Sequence, residues 1–98
     1  MEIEELTRAF AYLKDLGYRP FLVAVNPTDW WCLEYGLRVK SGDETLWGAR
    51  RIVNDDVRQG EVILWGRKDT ILKKVYFYPS TNTVLEVDLD ESPKRYAK

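Results

Sequence analysis

EVILWGRKDTILKKVYFY, residues 61–78, is the stretch that decides the fold. Two runs rich in β-branched and aromatic side chains, Glu61–Arg67 and Thr70–Tyr78, flank Lys68-Asp69, a short polar pair suited to a tight turn, so the pattern predicts an antiparallel hairpin. Side chains alternate along a strand, which puts Leu72, Lys74, Tyr76 and Tyr78 on one face of the second run and Lys73, Val75 and Phe77 on the other. Downstream, Pro79-Ser80-Thr81-Asn82 turns the chain into a last strand, Thr83–Leu89.

Upstream the same chemistry continues. Phe21–Val25 is apolar throughout, as expected of a central strand covered on both faces. Residues 32–40 alternate, with Leu33, Tyr35, Leu37 and Val39 against Glu34, Arg38 and Lys40, which predicts a half-buried strand ending at the turn Ser41-Gly42-Asp43. Leu46–Val53 reads as a further strand, joined to Glu61–Arg67 by the polar loop Asn54–Gly60, which has room for one helical turn. A register that sets Trp47 opposite Trp65 also sets Arg51 opposite Glu61.

One helix precedes the strands. Ile3, Leu6, Phe10 and Leu13 recur at spacings of three and four, with Ala9 and Leu16 widening the stripe, and Gly17 suits the left-handed position that ends a helix. The expected architecture is α+β: one N-terminal helix packed on a twisted, mainly antiparallel sheet of five or six strands in meander order. Residues 1–91 form a single domain, and 92–98 a flexible C-terminal tail. A helix of four turns shields three or four strands, so part of the sheet is left for a partner or a ligand.

Composition narrows the function. The 98 residues carry 15 basic and 16 acidic groups, a net charge of −1, which removes the general attraction to phosphate backbones that a basic domain would have. No apolar run approaches the ~20 residues of a membrane helix, and the start, Met1–Glu5, is acidic where a signal peptide is basic. The expected location is cytoplasmic, away from membranes. The single cysteine, Cys32, reads as a buried, inert thiol that agrees with a reducing compartment. With no histidine at all, serine triads, Cys/His dyads and His-ligated zinc sites are excluded, and no cofactor is expected.

The candidate site residues lie in three places. Leu46-Trp47-Gly48-Ala49-Arg50 and Leu64-Trp65-Gly66-Arg67-Lys68 are near-repeats that set Trp before Gly and then basic side chains. They read either as stacking platforms, Trp47 and Trp65, flanked by the cations Arg50, Arg51, Arg67 and Lys68, or as cross-strand packing in which each Gly leaves room for a neighbouring ring. Trp30, Trp31 and Tyr35 have a claim on a partner surface, because Trp and Tyr dominate interface hot spots. Glu86, Asp88 and Asp90 share one strand face and would hold Mg²⁺ or Ca²⁺ as a nuclease does, or would simply guard an edge strand against aggregation. Asp55-Asp56 reads as a cap or a solvated pair.

The Trp-Gly strand together with Val75-Tyr76-Phe77-Tyr78 resembles small immunity domains of bacterial toxin systems and phage or plasmid accessory proteins, without the two-helix opening segment of one such immunity family. No residue role is carried over from either. The expected function is non-catalytic binding of another protein, as an inhibitor, immunity factor or accessory subunit. A homodimer is one form of it. The alternatives are a nucleic-acid binder using the Trp, Arg and Lys segments, and a carboxylate-based metal-dependent nuclease.

Overall fold

A computed structural model describes residues 1–37 and 45–88. The chain runs α1 (Ile3–Asp15), β1 (Arg19–Val25), α2 (Pro27–Leu37), β2 (Thr45–Leu46), β3 (Ala49–Val53), β4 (Val62–Lys68), β5 (Ile71–Tyr78) and β6 (Thr83–Asp88). The six strands form one sheet in the order β2-β3-β1-β4-β5-β6. The α+β class and the mainly antiparallel sheet are as expected from the sequence, and β4-β5-β6 follow one another as a meander. The other half differs: β1 pairs with β3 in parallel, Leu22 beside Arg50 and Ala24 beside Ile52. A parallel neighbour requires a crossover, and α2 lies within it.

α1 is built as its stripe requires except at Leu16, which follows the last helical residue and is exposed. Leu6, Ala9, Phe10 and Leu13 are buried, and the Glu5 carboxylate accepts the Glu2 N–H at 2.9 Å, at the helix start. At the other end Gly17 takes φ +92°, so that its own N–H reaches the Lys14 carbonyl (2.8 Å) and the Tyr18 N–H that of Leu13 (3.3 Å). This is a Schellman closure, and it aims the chain directly into β1.

The strand expected over 32–40 is instead helical as far as Leu37, and residues 38–40, with the turn Ser41-Gly42-Asp43, lie outside the described residues. The Asn26 side-chain oxygen accepts the Thr28 N–H at 2.8 Å, and Pro27 occupies the first helical position, where its missing N–H costs nothing. Asn26-Pro27 is thus a helix start and not only a strand end. Leu33 is buried while Tyr35 is exposed, which the helical period allows and a shared strand face does not.

Both helices lie on one side of the sheet. Leu6, Phe10 and Leu13 of α1 and Trp30 and Leu33 of α2 join Val23, Val25, Val62, Leu64, Val75 and Phe77 in a single buried cluster. α1 comes close to the sheet at Gly66, where a Cβ would stand 2.7 Å from Leu13 Cδ2. On the opposite side a smaller cluster, Ala24, Val57 and Ile63, is closed by the Asn54–Gly60 loop, which contains no helical turn. Beyond Val57 no element among the described residues packs on that side. β1 is therefore central, but shielded on both sides only at its Ala24 end.

The stretch read as one strand, Leu46–Val53, is two. Trp47 (φ +52°) and Gly48 (φ +87°) form a two-residue hairpin between β2 and β3, with Leu46 paired to Ala49. Trp47 is consequently not opposite Trp65, whose partners are Leu22 and Lys74, and Arg51 faces Val23 and not Glu61. The turn at Pro79–Asn82 stands where the sequence places it, and the hairpin turn expected at Lys68-Asp69 falls one residue later, at Asp69-Thr70, because Lys68 still pairs with Ile71. The tail 92–98 lies outside the described residues. Among those that are described, no helix is long and apolar enough to cross a membrane.

Candidate functional site: the uncovered sheet face

Alternation along the strands determines what the uncovered side presents. β4 contributes Ile63, Trp65 and Arg67; β5 contributes Leu72, Lys74 and Tyr76; β6 contributes Leu85 and Val87; β3 contributes Arg50 and Ile52. In β1 the pairing slips between Pro20 and Leu22, and the extra residue, Phe21, meets the Arg67 guanidinium 5.3 Å from its ring centre on this same side. The rings here carry their own cations. Lys74 Nζ lies 5.2 Å from the Trp65 ring centre and 4.7 Å from that of Tyr76, geometry that attracts a cation to the ring quadrupole. Most of this apolar surface is half-buried by its neighbours, and Leu85, at 54% exposed, is open.

Charge on this face is one-sided. The described strands turn Arg19, Arg50, Arg67 and Lys74 toward it, against one carboxylate, Glu61 at the start of β4. Glu61 is buried and already engaged, accepting the Tyr78 hydroxyl at 2.6 Å and the Arg58 N–H at 3.2 Å. The hydrogen bond to Glu61, with burial adding to it, pushes the Tyr78 hydroxyl pKa above its usual value, because ionising the phenol would set a second negative charge beside the carboxylate.

The structure divides the sequence-derived candidates among several places. Trp65, Arg67 and Arg50 share the uncovered face. Trp30 is buried on the helical side, its Nε1–H donating to the Ile52 carbonyl at 3.0 Å, with the Arg51 guanidinium 4.9 Å from its ring centre. Arg51 also pairs with Glu34 of α2 at 3.3 Å, so Trp30 and Arg51 fasten α2 to β3. Trp31 and Tyr35, one helical turn apart, stand 65% and 80% exposed on the outside of α2 with ring centres 6.1 Å apart. Trp47 caps the β2–β3 hairpin and meets Phe10 of α1 edge-on at 5.0 Å. Lys68 projects to the helical side, where its Nζ lies near Gly17 and 5.9 Å from the Tyr18 ring centre. Only one of the four indoles, Trp65, therefore belongs to the uncovered sheet face.

Of the rings and cations of that face, Phe21, Tyr76, Lys74 and Arg19 stand outside the candidates drawn from the sequence, as do its aliphatic side chains. Lys74 and Tyr76 were visible as sharing a strand face, and their meeting with Trp65 depends on the β4–β5 register. Phe21 depends on the bulge, for which no local residue pattern stands out.

The carboxylate row is already partly used. Glu86 pairs with Lys73 at 3.0 Å and accepts the Tyr12 hydroxyl of α1, a hydrogen bond that raises the Tyr12 pKa. The Asp88 side chain and Asp90 lie outside what the structure describes. No group of three His, Cys, Asp or Glu able to hold a metal occurs among the described residues. Asp55 and Asp56 are exposed in the loop, where Asn54 Oδ1 accepts the Asp56 N–H at 2.9 Å. Cys32, expected to be buried, is exposed on α2, because the helical turn rotates it away from Leu33 and the core.

Comparison of the chain with protein-family models, with curated proteins and with solved structures returns no match.

Proposed function

We propose that this chain is a non-catalytic protein-binding module, of the inhibitor, immunity-factor or accessory-subunit kind, that docks through its uncovered sheet face. The observation that carries the reading is the placement of both helices on one side, which leaves Phe21, Trp65, Tyr76 and Leu85 on the other with four cations among them. Aromatic residues and arginine are the side chains that anchor protein interfaces, and an apolar surface ringed by one sign of charge suits a partner with an apolar patch and a carboxylate rim.

The same charges favour a different protein over a second copy. A two-fold pairing would bring each patch against itself and oppose like charges across the interface. They also favour a protein over nucleic acid. Base stacking needs a free ring face, whereas Lys74 lies over one face of Trp65 and of Tyr76 and Arg67 over one face of Phe21.

The test is affinity isolation from the native host with three baits: the wild type, Trp65→Ser/Tyr76→Ser, and Trp31→Ser/Tyr35→Ser. The reading expects one stoichiometric, acidic partner, released by salt, retained by the wild type and by the α2 variant, and lost from the sheet-face variant while that variant keeps its circular dichroism. Loss from the α2 variant alone, or salt-sensitive capture of oligonucleotides with no protein, would contradict it.

A further inference from the structure

A second surface, at one end of the central strands β1 and β4, has a different chemistry. A cleft of about 660 Å³ lies where the end of α1, the start of β1 and the end of β4 meet, and four of its lining side chains are cations: Lys14, Arg19, Arg67 and Lys68. Its one carboxylate is Asp69. Among the described residues none of the four cations has an ion-pair partner. Arg19 and Arg67 are directly opposed in the β1–β4 ladder, an arrangement of like charges that destabilises a sheet unless something neutralises it.

The carbonyl end of α1 accounts for some of this charge. Lys14 sits in its last turn, and Lys68 Nζ would be 3.4 Å from a Cβ built on Gly17, so both complement the helix dipole. That does not extend to the arginines, which come from strands and meet no carboxylate. A cleft carrying four positive groups and one negative group, in a chain whose net charge is −1, marks charge gathered at one place.

We propose that this cleft binds a condensed phosphate, either as the free anion or as the diphosphate or triphosphate group of a small molecule. Paired guanidinium groups present planar forks that match phosphate oxygens two at a time, and the two ammonium groups act as point charges on the remaining oxygens. The charge matches as well: a condensed phosphate carries three to four negative charges at neutral pH, enough to neutralise the cleft. The only aromatic side chain in its lining is Tyr18, whose ring already has Lys68 and Lys73 beside it. The phosphate chain, and not a stacked base, is therefore the recognised group.

Calorimetry at physiological salt with pyrophosphate, triphosphate, ATP and citrate tests this on the wild type, on Arg19→Gln/Lys68→Gln, and on Arg8→Gln, a surface change on α1. Arg67 is left in place, so that Arg19 is the one cation of the partner face that changes, and because the readout uses small anions and no partner protein, failure here leaves the docking proposal standing. The expected result is one saturable site per chain for the condensed phosphates, weakened about tenfold or more in the double variant and unchanged in Arg8→Gln. ATP binding as tightly as triphosphate confirms recognition of the phosphate chain; binding of triphosphate but not ATP confirms it with the free anion as the source. Absence of saturable binding up to about 1 mM overturns the proposal, as does equal affinity for citrate or an unchanged affinity in the double variant.

Discussion

The two faces of β4 both carry apolar side chains, to opposite ends. Val62, Leu64 and Gly66 point under α1 and α2, where Val62 and Leu64 have no accessible surface, whereas Ile63, Trp65 and Arg67 point to the side that only Val57 and its loop partly close. Apolar residues on the first face are explained by the core. On the second, Ile63 is buried against Val57, whereas Trp65 has no element among the described residues above it, and the cations around it give that surface a sign. Hydrophobicity alone does not separate a core from a docking surface; which layer the topology places above it does.

The largest contrast should appear in stability. Leu64→Ala removes a fully buried side chain beneath α1 and should cost about 2–5 kcal/mol, while Leu85→Ala on the uncovered face should cost less than about 1 kcal/mol. Urea denaturation of both variants checks this, and equal losses would mean that the two faces are not differently covered.

Next in size are the glycines of the two Leu-Trp-Gly segments. Gly66 is required by space, and Gly66→Ala should cost about 1–3 kcal/mol because Leu13 must move. Gly48 has nothing within 4 Å of a built Cβ but sits at φ +87°, so it is required by backbone shape, and Gly48→Ala should cost about 1–2 kcal/mol. Asn, which tolerates the left-handed region, sharpens the difference: Gly48→Asn should lose less than Gly48→Ala, and Gly66→Asn more than Gly66→Ala, in thermal melts.

Tyr78→Phe should cost about 1 kcal/mol by removing the hydroxyl that Glu61 accepts. The sign of its pH dependence follows from the raised pKa. The contribution is complete below the ordinary tyrosine value near ~10 and is lost as pH rises through the higher folded-state value, so wild type and variant should converge in alkali. A gap that widened with rising pH would contradict the assignment. The smallest effect belongs to Trp31→Ser and Tyr35→Ser, which should change stability by no more than about 0.5 kcal/mol each, since both rings stand mainly in solvent.

What the sequence revealed follows how local each signal is. The stripe of α1 and the alternation of β5 are carried by residues a few positions apart, and both stand as read apart from Leu16. α2 was missed because Leu33, Tyr35 and Leu37 mimic a strand period, and because Asn26-Pro27, a cap followed by the first helical residue, also fits the end of a strand. Trp47-Gly48 lacks the Asn-Gly or Asp-Gly pair by which two-residue hairpins are usually recognised, so two segments with the same letters took opposite backbones. The parallel β1–β3 pairing is non-local and leaves no trace in any short window. Trp65, Arg67 and Arg50 were identifiable as residue types, but their meeting with Phe21, Lys74 and Tyr76 is a property of register.

Hydroxyl-radical footprinting of the free protein and of its complex with the isolated partner tests the central claim most directly. The docking account expects Trp65, Tyr76 and Leu85 to be modified in the free protein and protected in the complex, with Trp31 and Tyr35 modified in both. Protection of Trp31 and Tyr35 in the complex, with the sheet face modified as before, would contradict it.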